Sequence, residues 1–422
     1  MRFIINLFSI IWVFIFIEGL LPQIQMAILG GRVIIPSVIL KIILIGISLI
    51  VLFSVGRIWL PAKVKIPWAF FSVYLIIHLL LMKGINNFTL SYILFGYNVY
   101  YFFLLIIPAV FILNNYTNLK HETKMVNLLL FLFIPIGLMG IFQYLMNNPI
   151  LPTLSVDSNF EVQVWDFFGQ VRAFSFFVSG VHFGHYIALI SALSLSKIIF
   201  GKKKNIWATT IFFLSIIAGY STLTRTVYIE IIVTIITIVC FKTLKTRGKK
   251  VIYLLPLIYA GIGILIIATS TLLSTKVTGD LTSTDSLSVR LDSWESYFEI
   301  WFKKSLFNAL FGIGFIQNGK IEENVNIIID NTFLVVGGHI GLIGLVLVIV
   351  LTWSLWKYMC NLALKEQRPL VIAIAAMYSS WLITGIFNIN IQYYLLVFLL
   401  ISLVYKSKPG KFLGGVKSNN KI

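Results

Sequence analysis

Apolar runs of about 17 to 25 residues recur along the whole chain, and each is long enough to cross roughly 30 Å of hydrocarbon as a helix. The pattern predicts helices near residues 3–21, 33–54, 66–82, 90–113, 125–145, 174–200, 205–223, 225–242, 251–272, 333–357, 369–387 and 389–405. The expected fold is therefore an all-α polytopic membrane protein of about twelve transmembrane helices. With no internal repeat, low-complexity tract or soluble linker, residues 1–422 read as one membrane domain. No small-x-small cleavage site closely follows the first run, so it reads as a helix rather than a signal peptide.

Two connections break the rhythm, 146–173 and 273–332, and connections of such length usually carry function. In the longer one, Leu291, Trp294, Phe298, Trp301 and Phe302 recur at helical spacing, with Asp292, Glu295, Glu299 and Lys303 between them. That spacing predicts an amphipathic helix over about 289–305, lying at the membrane surface. It either caps the bundle or, through Trp294 and Tyr297, offers aromatic faces to a sugar or lipid.

Composition agrees with the pattern: 59% of residues are hydrophobic and 11% charged, far fewer charges than a soluble domain carries. The net charge of +18 would suggest nucleic acid, but the placement of the charges argues for topology. Twenty-two of the 33 basic residues fall on one set of alternating loops and the two ends of the chain, including the tail 406–422; nine fall on the other. The positive-inside rule then puts both termini in the cytoplasm, and the basic excess faces anionic lipid. Eleven of the 15 acidic residues lie in the two long connections, which makes the outer face the expected place of chemistry. Cys240 and Cys360 fall near cytoplasmic ends and are not expected to pair.

Arginine beside an apolar helix is costly, so it tends to be paired, snorkelling or functional. Arg172 precedes a helix in Gly169-Gln-Val-Arg-Ala-Phe-Ser-Phe176, Arg225 sits in the turn Ser221-Thr-Leu-Thr-Arg-Thr226, and Arg290 opens the amphipathic helix. All three fall at the same outer level, and a planar cation with five donors suits bidentate binding of phosphate oxygens. The alternative is an interfacial anchor or an ion pair with Glu230 or a loop carboxylate. Asp330, in Asp330-Asn331-Thr-Phe-Leu334, reads either as a general base toward a hydroxyl or as a helix N-cap. Gly312 and Gly314 mark a turn or a close backbone approach, not a nucleotide fingerprint. His182 and His185 share a helix face, but no third ligand accompanies them, which favours packing or hydrogen bonding over a metal.

The order of these pieces resembles the O-antigen ligase and Wzy-type polysaccharide polymerase superfamily, integral-membrane glycosyltransferases of the GT-C class. The likeness covers roughly 165–350: Arg172 followed by Gly180-Val-His-Phe-Gly184, Ser221-x-x-x-Arg225, Arg290-x-x-x-Trp294, Leu310-Phe-Gly-Ile-Gly-Phe315, and Asp330-Asn-Thr-Phe-Leu before a glycine-rich helix. It implies that Arg172, Arg225 and Arg290 hold the diphosphate of a polyprenol-linked glycan, with Asp330 beside them as the catalytic carboxylate. Neither metal, cofactor nor nucleotide sugar is implied. Trp294, Tyr297, Asn331, His182, His185, Gly312 and Gly314 complete the expected substrate-binding set.

Asp330 stands where ligases have His, which leans toward a polymerase over an O-antigen or glycopolymer ligase. The implied partners are lipid-linked donor and acceptor glycans, the bilayer, a flippase and chain-length regulator proteins, with no nucleic acid. The implied location is a bacterial cytoplasmic membrane. A lipid-linked oligosaccharide flippase or other transporter is the rival from a different class. Its candidate groups at depth, Lys41 and His78, with Glu18 and Glu230 nearer the outer end, are few.

Overall fold

A computed structural model describes residues 2–16, 37–55, 60–86, 100, 102–150, 166–167, 169–177, 179–201, 205–244, 248–274, 285–303, 305–314, 330–388, 394 and 397–404. Residues 151–165 of the shorter connection, 275–284 and 315–329 of the longer one, and the basic tail 406–422 lie outside the described residues. So do most of the first half of the expected helix at 90–113 and parts of that at 389–405.

Turns and short connections aside, the described chain is helical except for the strands β1 (Asp166–Phe167) and β2 (Gln170–Val171), which pair antiparallel. In order, the helices are α1 (Arg2–Phe16), α2 (Ser37–Val55), α3 (Ala62–Asn86), α4 (Ile107–Asn114, entered through a π-turn at Phe102–Ile106) and α5 (Leu119–Leu145). Then follow α6 (Gly180–Phe200), α7 (Ile206–Ser221), α8 (Arg225–Leu244) and α9 (Lys249–Ser274). The last are α10 (Asp285–Lys303), α11 (Leu306–Phe311), α12 (Thr332–Glu366), α13 (Pro369–Ser379) and α14 (Trp381–Phe387).

Among the described residues six helices, α3, α5, α6, α8, α9 and α12, are long and apolar enough to cross a membrane, or seven if α13 and α14, bent by 41°, form one span. Shorter apolar helices cover Leu40–Val55, Phe103–Asn114 and Ile206–Ser221. The chain is a multi-pass helical membrane protein. Its exposed Leu254, Leu257, Ile258, Ile262, Leu265 and Ile266 on α9 form a face suited to lipid, where apolar side chains need no protein cover.

The helix ends follow local chemistry. Ser179, Asn205 and Asn331 each accept a backbone N–H of the following first turn, and Gln367 (φ 46°) turns the chain left-handed before Pro369 starts α13. Of the membrane-capable helices α6 is the most enclosed, packed among α5, α7, α8 and α13. Small residues let neighbours close in on it. A Cβ on Gly184 would come within 1.9 Å of the Val227 side chain, and one on Gly140 of α5 within 2.3 Å of Phe183.

Helix α12 is broken. Gly341 has φ 71° and ψ 175°, a conformation L side chains rarely adopt, and a Cβ there would strike the Leu310 carbonyl at 2.1 Å. The short helix α11 and the turn at Gly312 lie backbone to backbone in this break, with Ile313 N–H donating to Gly338 O at 2.7 Å. Helix α3 completes it: Tyr74 hydroxyl donates to Ile340 O, and His78 Nε2 to Phe311 O at 2.7 Å. Backbone groups freed by the kink thus find partners inside the bundle, the condition for tolerating non-helical backbone at membrane depth.

Candidate functional site

Arg172, Arg225, Arg290 and Asp330 come together at one end of the bundle, termed here the arginine end. Each is delivered by a different element. Arg172 follows β2 on a strip of extended chain fastened at several points. Gln143 of α5, fully buried, accepts Phe174 N–H (3.1 Å) and Ser175 N–H (2.7 Å) on one amide oxygen and donates to Pro149 O (2.7 Å). Asn147 accepts Val171 N–H at 2.7 Å, Gln170 donates to Tyr144 O at 2.7 Å, and Ala173 N–H donates to Ser221 O at 3.0 Å. The last bond ties the Arg172 strip to the α7–α8 turn. In that turn Leu223 takes φ 49°, Thr224 follows, and Arg225 is the exposed first residue of α8.

Arg290 lies in the second turn of α10, because that helix starts at Asp285, earlier than its apolar spacing predicts. Its Nε meets Asp330 Oδ2 at 2.6 Å, and Trp294, one helical turn on, donates Nε1–H to Asp330 Oδ1 at 3.0 Å. Both carboxylate oxygens are therefore aimed by α10. The helix is held in turn by Tyr297 and Trp301, packed onto Gly337 and Gly338 of α12, where any side chain would collide with them.

The three guanidiniums feel one another. Arg172 is held below the usual arginine range, first by burial, then by the charge of Arg290, then by that of Arg225. Arg225 forms no ion pair with a described residue, and Asp330 is the carboxylate on Arg290. Among the described residues the cluster holds three cations and one carboxylate, a charge pattern suited to a multivalent anion with several acceptor oxygens.

Several expected site residues have other work. Tyr297 is fully buried against Gly338, so it is a packing residue and not an aromatic platform; burial also raises the pKa of its hydroxyl. Trp294 is half-buried with its indole N–H spent on Asp330. Asn331, not Asp330, is the N-cap of α12: it is buried and its side chain accepts from Phe333 and Leu334 N–H at 2.9 and 3.1 Å. Gly312 and Gly314 (φ 86° and 83°) serve the close approach of α11 to the break in α12.

His185 is buried and hydrogen-bonded to Glu230, whereas His182 is exposed on the first turn of α6, its Nδ1 2.7 Å from Ser179 Oγ. The two histidines thus have different partners despite their shared face. Gln143 and Tyr394 went unnoticed in the sequence, whereas Glu230 was read there as an ion-pair partner for an arginine or a polar group near the outer end of its helix. A carboxylate inside the apolar run of α8 was the one visible signal.

A small apolar cavity lies against α12. Thr332, Phe333, Val336, Leu345, Val348 and Thr352 line one wall, and Trp381 and Tyr394 line another. No family model and no curated protein matches the chain.

Proposed function

We propose that the protein is a polysaccharide polymerase. It joins polyprenyl-diphosphate-linked oligosaccharide repeat units by glycosyl transfer at the outer face of a bacterial cytoplasmic membrane, with both termini and the basic loops inside. The reading rests above all on the convergence of Arg172, Arg225 and Arg290 around one end of the bundle, with Asp330 bonded among them. Such a cluster suits a diphosphate, whose oxygens accept from several guanidinium donors at once.

In the proposed reaction an acceptor sugar hydroxyl attacks the anomeric carbon of the donor glycan. The new carbon–oxygen bond forms as the bond to the diphosphate oxygen breaks, and polyprenyl diphosphate departs with the electron pair. Direct displacement inverts the anomeric centre. The arginines hold the charge that grows on the leaving oxygen, and they act in a partly dehydrated setting where preorganised cations are most effective. The hydroxyl proton is released late, as the new bond forms, and Asp330 receives it from a position fixed by Arg290 and Trp294.

The deciding experiment removes the gene and examines the glycan. Single repeat units support a polymerase, while full-length polymer left unattached points to a ligase. Lipid-linked units trapped on the inner face point to a flippase. Arg172→Ala and Arg290→Ala should each abolish polymer while the protein stays inserted, and normal chain length in both would end the proposal.

A further inference from the structure

Beneath the arginine end lies a second polar assembly that the proposed reaction does not use. Glu230 is five residues below Arg225 on α8, about 7.5 Å along the axis, and it is fully buried. One of its oxygens meets His185 Nδ1 of α6 at 2.6 Å; the other accepts the Tyr394 hydroxyl at 2.8 Å. The same hydroxyl lies 2.7 Å from Ser380 Oγ and 2.8 Å from Thr384 Oγ1. Ser380 is the residue at the bend between α13 and α14, so one carboxyl group links α6, α8, that bend and Tyr394.

Like charges do not assemble unaided, and the burden on Arg172 shows that these repel. The contacts joining the elements that carry Arg172 and Arg225 form a single seam. At its top Ala173 N–H bonds to Ser221 O. Gly180 lies against Thr222 O and the Thr224 side chain, and Gly184 admits Val227. The His185–Glu230 bond closes the seam directly below. It is its fully buried side-chain contact, in a setting where a polar group needs well-placed partners.

Resting on the diphosphate reading above, we propose that Glu230, with His185 and Tyr394, is a positioning group. It sets the separation of Arg172 and Arg225 for the two phosphates of the donor and touches no substrate itself. Rotating α8 or letting it slide against α6 would move Arg225 while leaving Arg290, which is fixed by α10 and Asp330, in place.

The test uses the full chain in nanodiscs, with farnesyl diphosphate as the binding probe and lipid-linked repeat units for turnover. Glu230→Gln and His185→Gln should raise both the probe Kd and the donor KM about tenfold, a loss in the range of one charged hydrogen bond, and leave kcat within about threefold. A purely structural role would lower the active fraction, and hence kcat, with KM unchanged, and that result overturns the proposal. Where a single variant fails to accumulate, the paired apolar replacement His185→Phe with Glu230→Leu leaves neither an unpaired buried polar group nor the hydrogen-bonded pin; parental KM in that protein also overturns it. If Arg172→Ala and Arg225→Ala bind the probe like the parent, the diphosphate reading itself fails. If those two lose binding while Glu230→Gln keeps it, only the positioning role fails.

Discussion

Two arginine–carboxylate pairs at opposite ends of the bundle look alike in isolation and differ in their surroundings. At one end Arg368, just before α13, bonds Glu122 in the first turn of α5, with Glu366 a further 3.7 Å contact; the Arg368 and Glu122 side chains are only 18% and 7% exposed. At the other end Arg290 bonds Asp330, with side chains 42% and 19% exposed, and Arg172 and Arg225 add their charges nearby. Among the described residues the first group has two carboxylates for one cation and the second has three cations for one carboxylate. An enclosed, anion-sufficient pair joins two helices. A more open, cation-rich cluster is the arrangement on which the proposed anion-binding role rests.

The widest separation between the two ends should appear with Arg172→Ala. Turnover of lipid-linked repeat units should fall about 10³-fold, the upper cost of losing one preorganised donor to a leaving oxygen, with membrane levels unchanged by immunoblot. Glu122→Ala should do the opposite, lowering stability by about 3 kcal/mol through the charge it leaves on Arg368, with donor KM unchanged. A denaturation series in detergent followed by kinetics reads both, and a KM change in Glu122→Ala would erase the distinction.

Asp330→Asn keeps the shape that Arg290 and Trp294 hold but cannot take a proton, so kcat should drop about 10²-fold with binding of farnesyl diphosphate preserved. Parental kcat would leave Asp330 as a mere counter-ion, like Glu122. The smallest effect should come from Gly338→Ala, whose Cβ would meet the Tyr297 hydroxyl at 1.9 Å. Relieving that contact should cost about 1–3 kcal/mol. It should also shift α10, so a modest loss of activity should accompany the lower melting temperature.

The apolar runs made the spanning helices legible because a bilayer imposes length and polarity on each segment separately. Arg172, Arg225, Arg290 and Asp330 were legible for the same reason: charge beside an apolar run is expensive enough to stand out. What the pattern could not reveal depends on which faces meet. Tyr297 and Trp294 lie three residues apart on one amphipathic helix, yet one enters the cleft over Gly338 and the other aims an N–H at Asp330. Asn331 outcompetes Asp330 for the cap because it immediately precedes the first helical residue, which frees Asp330 to face Arg290. Glu230 was conspicuous, but its partners His185 and Tyr394 are brought to it by packing alone and lie 45 and 164 residues away.

The break at Gly341 also bears on how the chain is made. Tyr74 and His78 donate to carbonyls of residues 266 and 233 positions later in the sequence. At a synthesis rate of about 5–20 residues per second, the first of these carbonyls leaves the ribosome on the order of 10 to 50 seconds after α3 has been made. During that interval two polar side chains of an early helix must be hydrated, shielded by the insertion machinery or loosely paired elsewhere. Biogenesis thus includes a late step, the seating of α11 and α12 against a helix made much earlier, and faults there would yield an inserted protein with an unassembled site.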